Sequence, residues 1–109
     1  MVQVTLAMVV YPRRREEMIH ALRSLMLPLL AAPGFISCRL FRDADNPNTI
    51  FYVEEWHSQG DLELQIRSTH YSRLLSIMEE AAEPPELRLS WVTEVKGLDY
   101  LESVRFRNH

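Results

Sequence analysis

The chain has 109 residues, of which 47% are hydrophobic and 25% charged, and its net charge is −3. This length predicts one domain with a single core. The negative charge gives no support to a nucleic-acid partner. The single cysteine excludes an internal disulfide and a cysteine-rich metal site, and it fits a cytoplasmic location. The first apolar stretch is too short to cross a bilayer, and its positive charges follow it, so no membrane segment or signal peptide is expected.

The first two predicted elements are a strand and a helix. Along Val2–Tyr11, every even position is apolar and the odd positions are mixed, which predicts a strand with one fully buried face. A helix follows Pro12, because apolar residues recur there at three- and four-residue spacing. These residues are Met18, Leu22, Leu25, Met26 and Leu29. Pro28 is expected to kink or end this helix.

Three strands and a second helix complete the pattern. Ile36–Arg42 and Thr49–Trp56 are strands two and three, and the turn sequence "DADNPN" between them predicts a hairpin. A helix is predicted from Asp61 to about Glu83, with a possible break near "RST". Leu87–Val95 is the fourth strand, and Leu87, Leu89, Trp91 and Val95 share one of its faces.

The order β-α-β-β-α-β predicts an α+β, ferredoxin-like fold, with two helices on one face of a four-stranded antiparallel sheet. The other sheet face has no cover within the chain, yet it carries Ala7, Val9, Phe51 and Val53. An exposed apolar face of this kind marks an interface, so we expect a homodimer with sheet packed against sheet. Residues 1–96 form the predicted domain, and 97–109 form a C-terminal arm expected to contact the partner subunit.

Two segments resemble the antibiotic biosynthesis monooxygenase family: "APGFISCRLFRD" and "NTIFYVEEWHSQGDLELQIRSTHYSRLL". The positions that fit the family pattern are Pro33, Gly34, Trp56, Ser68, His70, Tyr71 and Leu74. The resemblance implies a dimeric α/β barrel, with a pocket between helices and sheet in each subunit. It also implies that Leu98–Phe106 reaches the partner. Members include cofactor-free oxygenases of aromatic or quinol substrates and haem-degrading enzymes.

Three departures from the family pattern bear on cofactors. Gln65 occupies a position where many members have a histidine, nine residues after the tryptophan. Leu75 stands where haem-degrading members have the axial histidine, and strand one has no asparagine. A leucine cannot bind iron, whereas an imidazole can. These departures from the family pattern therefore argue against haem, and no cofactor is expected.

His70 is the candidate catalytic residue. It falls inside the apolar arc formed by Leu74, Ile77 and Ala81, so it points toward the sheet. An imidazole can take a proton from an acidic hydroxyl and stabilise the resulting anion. The alternative is a buried histidine whose hydrogen bonds are satisfied by a backbone carbonyl or a tyrosine.

Four residues are candidate substrate contacts: Trp56, Tyr52, Tyr71 and Gln65. Trp56 and Tyr52 share one face of strand three, so both can line a pocket beneath the second helix. Packing of the tryptophan and a cross-strand contact of the tyrosine are the alternatives. Tyr71 lies at the edge of the apolar arc of the helix.

The remaining polar residues have structural interpretations. Arg39 is expected to form an ion pair with Glu54 or Glu55 on the neighbouring strand. Cys38 is expected to be a small buried apolar group, since no adjacent base would make it a nucleophile. The other histidines show no short ligand spacing with His70, so no metal site is expected. They are His20, His57 and His109.

These features predict a cofactor-independent monooxygenase that acts on a small aromatic or quinone-like molecule. Two alternatives stay open. One is a non-catalytic dimeric domain that binds a small molecule or has a regulatory role, since a fold does not fix a function. The other is an isomerase or lyase that acts on an oxidised small molecule.

Overall fold

The computed structural model describes residues 1–107, so His109 lies outside the described residues. In this part of the chain the elements are β1 Val2–Val9, a 3-10 turn Pro12–Arg14, α1 Arg15–Ser24, α2 Met26–Leu29, β2 Phe35–Arg42, β3 Thr49–Trp56, α3 Gln59–Ile66, α4 Thr69–Met78, β4 Glu86–Trp91 and α5 Leu98–Arg105. The strands form one antiparallel sheet in the order β2-β3-β1-β4. This is the predicted α+β, ferredoxin-like fold, with both predicted helices divided in two.

The core forms between the helices and the sheet face to which β1 and β3 contribute their buried residues. Even-numbered residues of β1 are buried and its odd-numbered residues are half-buried, as the alternating pattern predicts. In the antiparallel register Val4 lies opposite Glu54, and Leu6 lies opposite Tyr52. Helices α1 to α4 supply the other core residues, among them Leu22, Leu29, Leu62, Tyr71 and Leu74.

Pro28 divides the first predicted helix, which confirms the expected interruption. The break falls at Leu25, between α1 and α2, rather than at the proline itself. A proline ring clashes with the carbonyl four residues earlier, here that of Ser24. At the break, the Leu25 amide donates to the Leu22 carbonyl at 3.1 Å. This hydrogen bond spans three residues, so the turn is tighter than an α-helical turn.

The second predicted helix begins two residues earlier than expected and ends before Glu83. Ser58 begins α3, because its hydroxyl accepts a hydrogen bond from the Asp61 amide at 3.1 Å. The expected break is confirmed at Arg67 and Ser68, and α4 then runs to Met78. The break reorients the chain, so that the first turn of α4 faces β3.

The predicted end of the fourth strand at Val95 is wrong, since β4 ends at Trp91. Trp91 pairs with Val2, the first residue of β1, and one further backbone hydrogen bond joins the Val92 amide to the Met1 carbonyl at 2.8 Å. Leu87, Leu89 and Trp91 share one face as predicted, but all three are exposed.

Residues 92–97 are irregular, and α5 follows with all eight of its residues exposed. The radius of gyration is 16.6 Å, against about 13 Å for a compact chain of this length.

A β-bulge between Phe35 and Ser37 sets the faces of β2. After the bulge Cys38 lies opposite Glu54, and Arg39 lies opposite Val53 on the outer face of the sheet. The predicted ion pair of Arg39 with Glu54 is therefore wrong, because the two side chains leave opposite faces. Within residues 1–107, Arg39 forms no ion pair with Glu55 either.

The outer sheet face carries the predicted apolar residues at half-buried positions: Ala7, Val9, Phe51 and Val53. Gln3, Thr5, Arg39 and Glu55 share this face with them. Among the helices of residues 1–107, none has the length and apolar character that crossing a bilayer requires.

Candidate functional site

A buried carboxylate, Glu54, lies at the centre of the candidate site. It is 0% exposed, although its side chain carries an ionisable group. It occupies the helix-facing side of β3, between Tyr52 and Trp56, because alternate residues of a strand share a face. Burying an ion without partners costs several kcal/mol, so this position requires compensating donors.

Four side chains place hydrogen-bonding groups around this carboxylate. On Oε1, the Tyr71 hydroxyl donates at 2.7 Å and the Trp56 indole N–H at 3.0 Å. On Oε2, the Tyr52 hydroxyl donates at 2.7 Å and His70 Nε2 lies at 3.3 Å. A hydrogen bond to a charged acceptor contributes about 1.5–3 kcal/mol, so four together are comparable with the cost of burial. We call Glu54, Tyr52, Trp56, His70 and Tyr71 the carboxylate cluster.

The surroundings keep Glu54 ionised. Burial alone raises the pKa of the carboxyl group, but the hydrogen bonds from His70, Tyr52, Tyr71 and Trp56 outweigh it, and the pKa lies below its usual range. The first turn of α4 supplies His70 and Tyr71, and the partial positive charge of that helix end adds to the stabilisation of the anion.

The two tyrosines act as donors and not as bases. Burial raises the pKa of the Tyr52 hydroxyl, and the negative charge of Glu54 raises it further. The same two causes raise the pKa of Tyr71. Both phenols therefore stay protonated at neutral pH, and each donates its hydroxyl hydrogen to the carboxylate.

His70 is the member of the cluster with a free ring nitrogen. Its side chain is only 8% exposed, which confirms the inward orientation predicted from the helical stripe. Nε2 lies 3.3 Å from Glu54 Oε2 and 3.4 Å from the Tyr52 oxygen. Among residues 1–107, Nδ1 has no hydrogen-bond partner, so one nitrogen is held by the cluster and the other is unused.

An apolar cleft opens between the helices and the edge of the sheet. Its volume is about 470 Å³, and its lining comes from the end of α1, from α2 and from β2: Arg23, Met26, Leu27, Leu30, Phe35, Ile36, Ser37 and Cys38. His70 does not line it. Two contacts connect it to the carboxylate cluster. The Cys38 thiol interacts with the Tyr52 hydroxyl, and the Phe35 ring meets Trp56 edge-on at 5.7 Å between centroids.

Cys38 itself is partly buried, close to the expected small apolar role. Burial is the main cause that raises the pKa of its thiol to about 12. A thiol with this pKa is not a nucleophile at neutral pH. Within the described part of the chain, no three of the histidine, cysteine, aspartate and glutamate side chains converge as metal ligands would.

The structure brings together four of the five residues singled out as site candidates: His70, Trp56, Tyr52 and Tyr71. The fifth, Gln65, is near the end of α3, where its backbone carbonyl accepts a hydrogen bond from the Ser68 amide at 2.9 Å, and within residues 1–107 its side chain forms no hydrogen bond with the other four. Leu75, at the haem-ligand position of the family pattern, is exposed on α4.

The sequence interpretation missed Glu54 as the organising residue of the site. A usable signal was present, since a glutamate stood between Tyr52 and Trp56 on a face predicted to be buried. A charged residue at such a position requires several partners, and the predicted pair with Arg39 supplied only one.

Several solved structures of other proteins share this fold. A protein of Deinococcus radiodurans has 10% sequence identity and a TM-score of 0.79, and the match covers 90% of this chain and 98% of that one. A Mycobacterium tuberculosis protein has 21% identity and a TM-score of 0.77, with 88% and 98% covered. A structure described as an antibiotic biosynthesis monooxygenase has 20% identity and a TM-score of 0.74, with 86% and 100% covered. At these identities the likeness shows the fold alone.

Sequence comparison is more specific than the fold. Among curated proteins, no sequence matches the chain significantly. The family model for antibiotic biosynthesis monooxygenases matches residues 1–75, which include β1 to β3 and every member of the carboxylate cluster. The chain therefore belongs to the antibiotic biosynthesis monooxygenase family.

Proposed function

We propose that the protein is a cofactor-independent monooxygenase, and that His70 is the base that takes a proton from a small aromatic or quinone-like substrate. The observation that carries the proposal is the contact between His70 and the ionised, fully buried Glu54. A histidine held in place by a carboxylate is a common arrangement for general-base catalysis.

The substrate is proposed to lie between the helices and the sheet. The apolar cleft supports this placement, because its lining suits an aromatic ring and its floor meets the cluster at Cys38 and Phe35. Tyr52, Trp56 and Tyr71 are proposed to form the wall of the substrate site behind Cys38 and Phe35, since their polar atoms are used by Glu54 and none of the three lines the cleft. Gln65 is proposed as a contact at the end of α3.

The proposed chemistry balances without an external reductant. For an anthrone, the imidazole accepts a proton from the CH₂ group that lies across the central ring from the carbonyl, and leaves a carbanion stabilised by conjugation with that carbonyl. The carbanion passes one electron to O₂, and the resulting carbon radical and superoxide combine and take up a proton to form a hydroperoxide. Loss of the second C–H proton with cleavage of the O–O bond gives a ketone and water. One O₂ is consumed for each quinone formed.

The test is oxygen uptake with anthrones and quinols, measured against autoxidation and repeated without oxygen as a control. We expect turnover in the native protein and a loss of about 10²-fold or more in His70→Ala, the usual size of a general-base contribution. His57→Ala is the matched control, because His57 is exposed. Uptake no faster than autoxidation, or equal rates in native protein and His70→Ala, refutes the proposal.

A second candidate function is ligand binding without turnover. The observation that favours it is that the apolar cleft is lined by residues of α1, α2 and β2 and not by His70. A hydrophobic ligand held there would raise the melting temperature without consuming oxygen. Leu27→Asp, at an exposed wall of the cleft, would abolish this shift and leave the carboxylate cluster intact.

The proposed assembly is a homodimer joined through the outer sheet face, and the proposed location is the cytoplasm. The apolar residues on that face support the dimer, because a monomer would leave them in water. Phe51→Asp should convert the dimer to a monomer in light scattering, whereas Leu75→Asp on the exposed side of α4 should not. A native protein that is monomeric at micromolar concentration refutes this assembly.

A further inference from the structure

The unused nitrogen of His70 leads to an assignment of its reactive atom. We infer that Glu54 is a positioning residue that holds the proton of the neutral imidazole on Nε2, so that Nδ1 is the basic atom presented to the substrate. Only the role of Nδ1 as the base that accepts the substrate proton rests on the proposed function. The position of the proton follows from the hydrogen bonds of the cluster alone.

The first step concerns the groups that face Nε2. They are Glu54 Oε2 at 3.3 Å and the Tyr52 oxygen at 3.4 Å. Glu54 is ionised, and a carboxylate accepts hydrogen bonds but has none to donate.

The second step concerns the hydrogen of Tyr52. A phenol has a single hydrogen, and at 2.7 Å from Oε2 that hydrogen is directed at the carboxylate. The Tyr52 oxygen can therefore offer only a lone pair to the histidine. Both neighbours of Nε2 are acceptors, and an unprotonated Nε2 would place three lone-pair sites against one another. A proton on Nε2 turns the same contacts into favourable ones.

The third step concerns Nδ1. In a neutral ring with its proton on Nε2, Nδ1 carries the lone pair and is the only atom of the side chain that can accept a proton. No side chain or backbone group within residues 1–107 donates to it. The other titratable groups around the imidazole are Tyr71 on its own helix and Cys38 behind Tyr52. Burial keeps both of them protonated, so neither competes as a base.

The arrangement also predicts which substitution moves the proton. Glu54→Gln keeps the volume and two lone pairs, but it replaces one oxygen with an NH₂ group. The Tyr71 and Trp56 donors hold the remaining amide oxygen, so the NH₂ group faces Nε2. Nε2 must then accept, and the ring proton moves to Nδ1. This change removes the base and leaves the packing of the side chain almost unaltered.

The experiment is long-range ¹H–¹⁵N NMR of the full-length protein with labelled histidine, which distinguishes the two neutral tautomers and the imidazolium. We expect His70 of the native protein to carry its proton on Nε2 at a pH where the ring is neutral. A proton on Nδ1 in the native protein overturns the inference, and this measurement requires no variant.

Three variants sharpen the measurement. Glu54→Gln should shift the His70 population to the Nδ1-protonated form, and a folded Glu54→Gln protein with an unchanged tautomer overturns the inference. Tyr71→Phe removes a donor from Oε1 and should keep the native tautomer. Glu55→Gln makes the same chemical change at the next residue, on the opposite face of β3, and should also keep it. A tautomer change in either control variant overturns the inference.

The outcome separates this inference from the proposed function. A native protein with Nε2-protonated His70 and no oxygen uptake refutes the monooxygenase proposal and supports the tautomer assignment. If the protein does turn over, Glu54→Gln should reduce kcat by about 10²-fold or more. A kcat for Glu54→Gln within threefold of native overturns the role of Glu54 as a positioning residue.

Discussion

Removal of the Tyr71 hydroxyl tests how strongly the protein depends on its buried carboxylate. Tyr71→Phe keeps the ring and its packing against the core but deletes the donor at 2.7 Å from Glu54 Oε1. A hydrogen bond to a charged group contributes about 1.5–3 kcal/mol, so this is the expected loss in the free energy of unfolding at neutral pH. For a domain of this size each kcal/mol lowers Tm by about 4–8 °C, so the shift is on the order of 10 °C.

The pH dependence of this loss identifies its cause. The pKa of Glu54 is lowered in the folded protein, so its stabilising contribution is complete above the unfolded value of about 4.3. The contribution disappears as the pH falls through the folded pKa. Tyr71→Phe removes one of the bonds that lower this pKa, so the difference between variant and native protein should shrink as the pH falls below about 4.3.

The measurement is urea denaturation at a fixed protein concentration, at neutral pH and in acid. Tyr11→Phe is the matched control, because Tyr11 is exposed and makes no hydrogen bond to a buried carboxylate. Equal losses for the two variants, or a loss for Tyr71→Phe that is the same in acid as at neutral pH, would show that Glu54 is not held as described.

Two other matched pairs test the fold in the same denaturation assay. Gly34→Ala should lose about 1–3 kcal/mol, because φ is +75° at this residue and an added Cβ would collide with the Asp61 side chain. Gly60→Ala, in the open first turn of α3, should instead be neutral or gain up to about 1 kcal/mol. Leu74→Ala should lose about 2–5 kcal/mol from the core, whereas Leu75→Ala, one residue later and exposed, should lose less than about 0.5 kcal/mol. No difference within either pair contradicts the packing described.

Local patterns were sufficient to predict most of the fold. Strict alternation in β1, a dense turn signal after β2 and the proline in α2 each report on a few neighbouring residues, and each was read correctly. The end of β4 depended on a segment distant in sequence, since Trp91 is the last residue of β4 that pairs with β1, at Val2. Pairing of this kind is not encoded in the residues of β4 themselves.

The site shows the same division between local and distant information. His70 was placed inward by its helical stripe, and Tyr52 and Trp56 were placed together by strand parity. The role of Glu54 was obscured because the bulge after Phe35 turns Arg39 to the outer face. A bulge of one residue moves every later side chain of the strand to the opposite face of the sheet, and the sequence of β2 contains no signal that predicts it.

The exposed helix α5 has a consequence for how the protein behaves on dilution. Its eight residues are all exposed, and an isolated helix shorter than about 12–15 residues is marginal in water. Its apolar side chains, Leu98, Tyr100, Leu101 and Val104, gain most from contact with another surface. We therefore expect the helical signal in circular dichroism to decline as the protein is diluted through its association range, while the signals of buried tryptophan and tyrosine stay constant. A loss of helicity on dilution would therefore report the dissociation of the proposed homodimer.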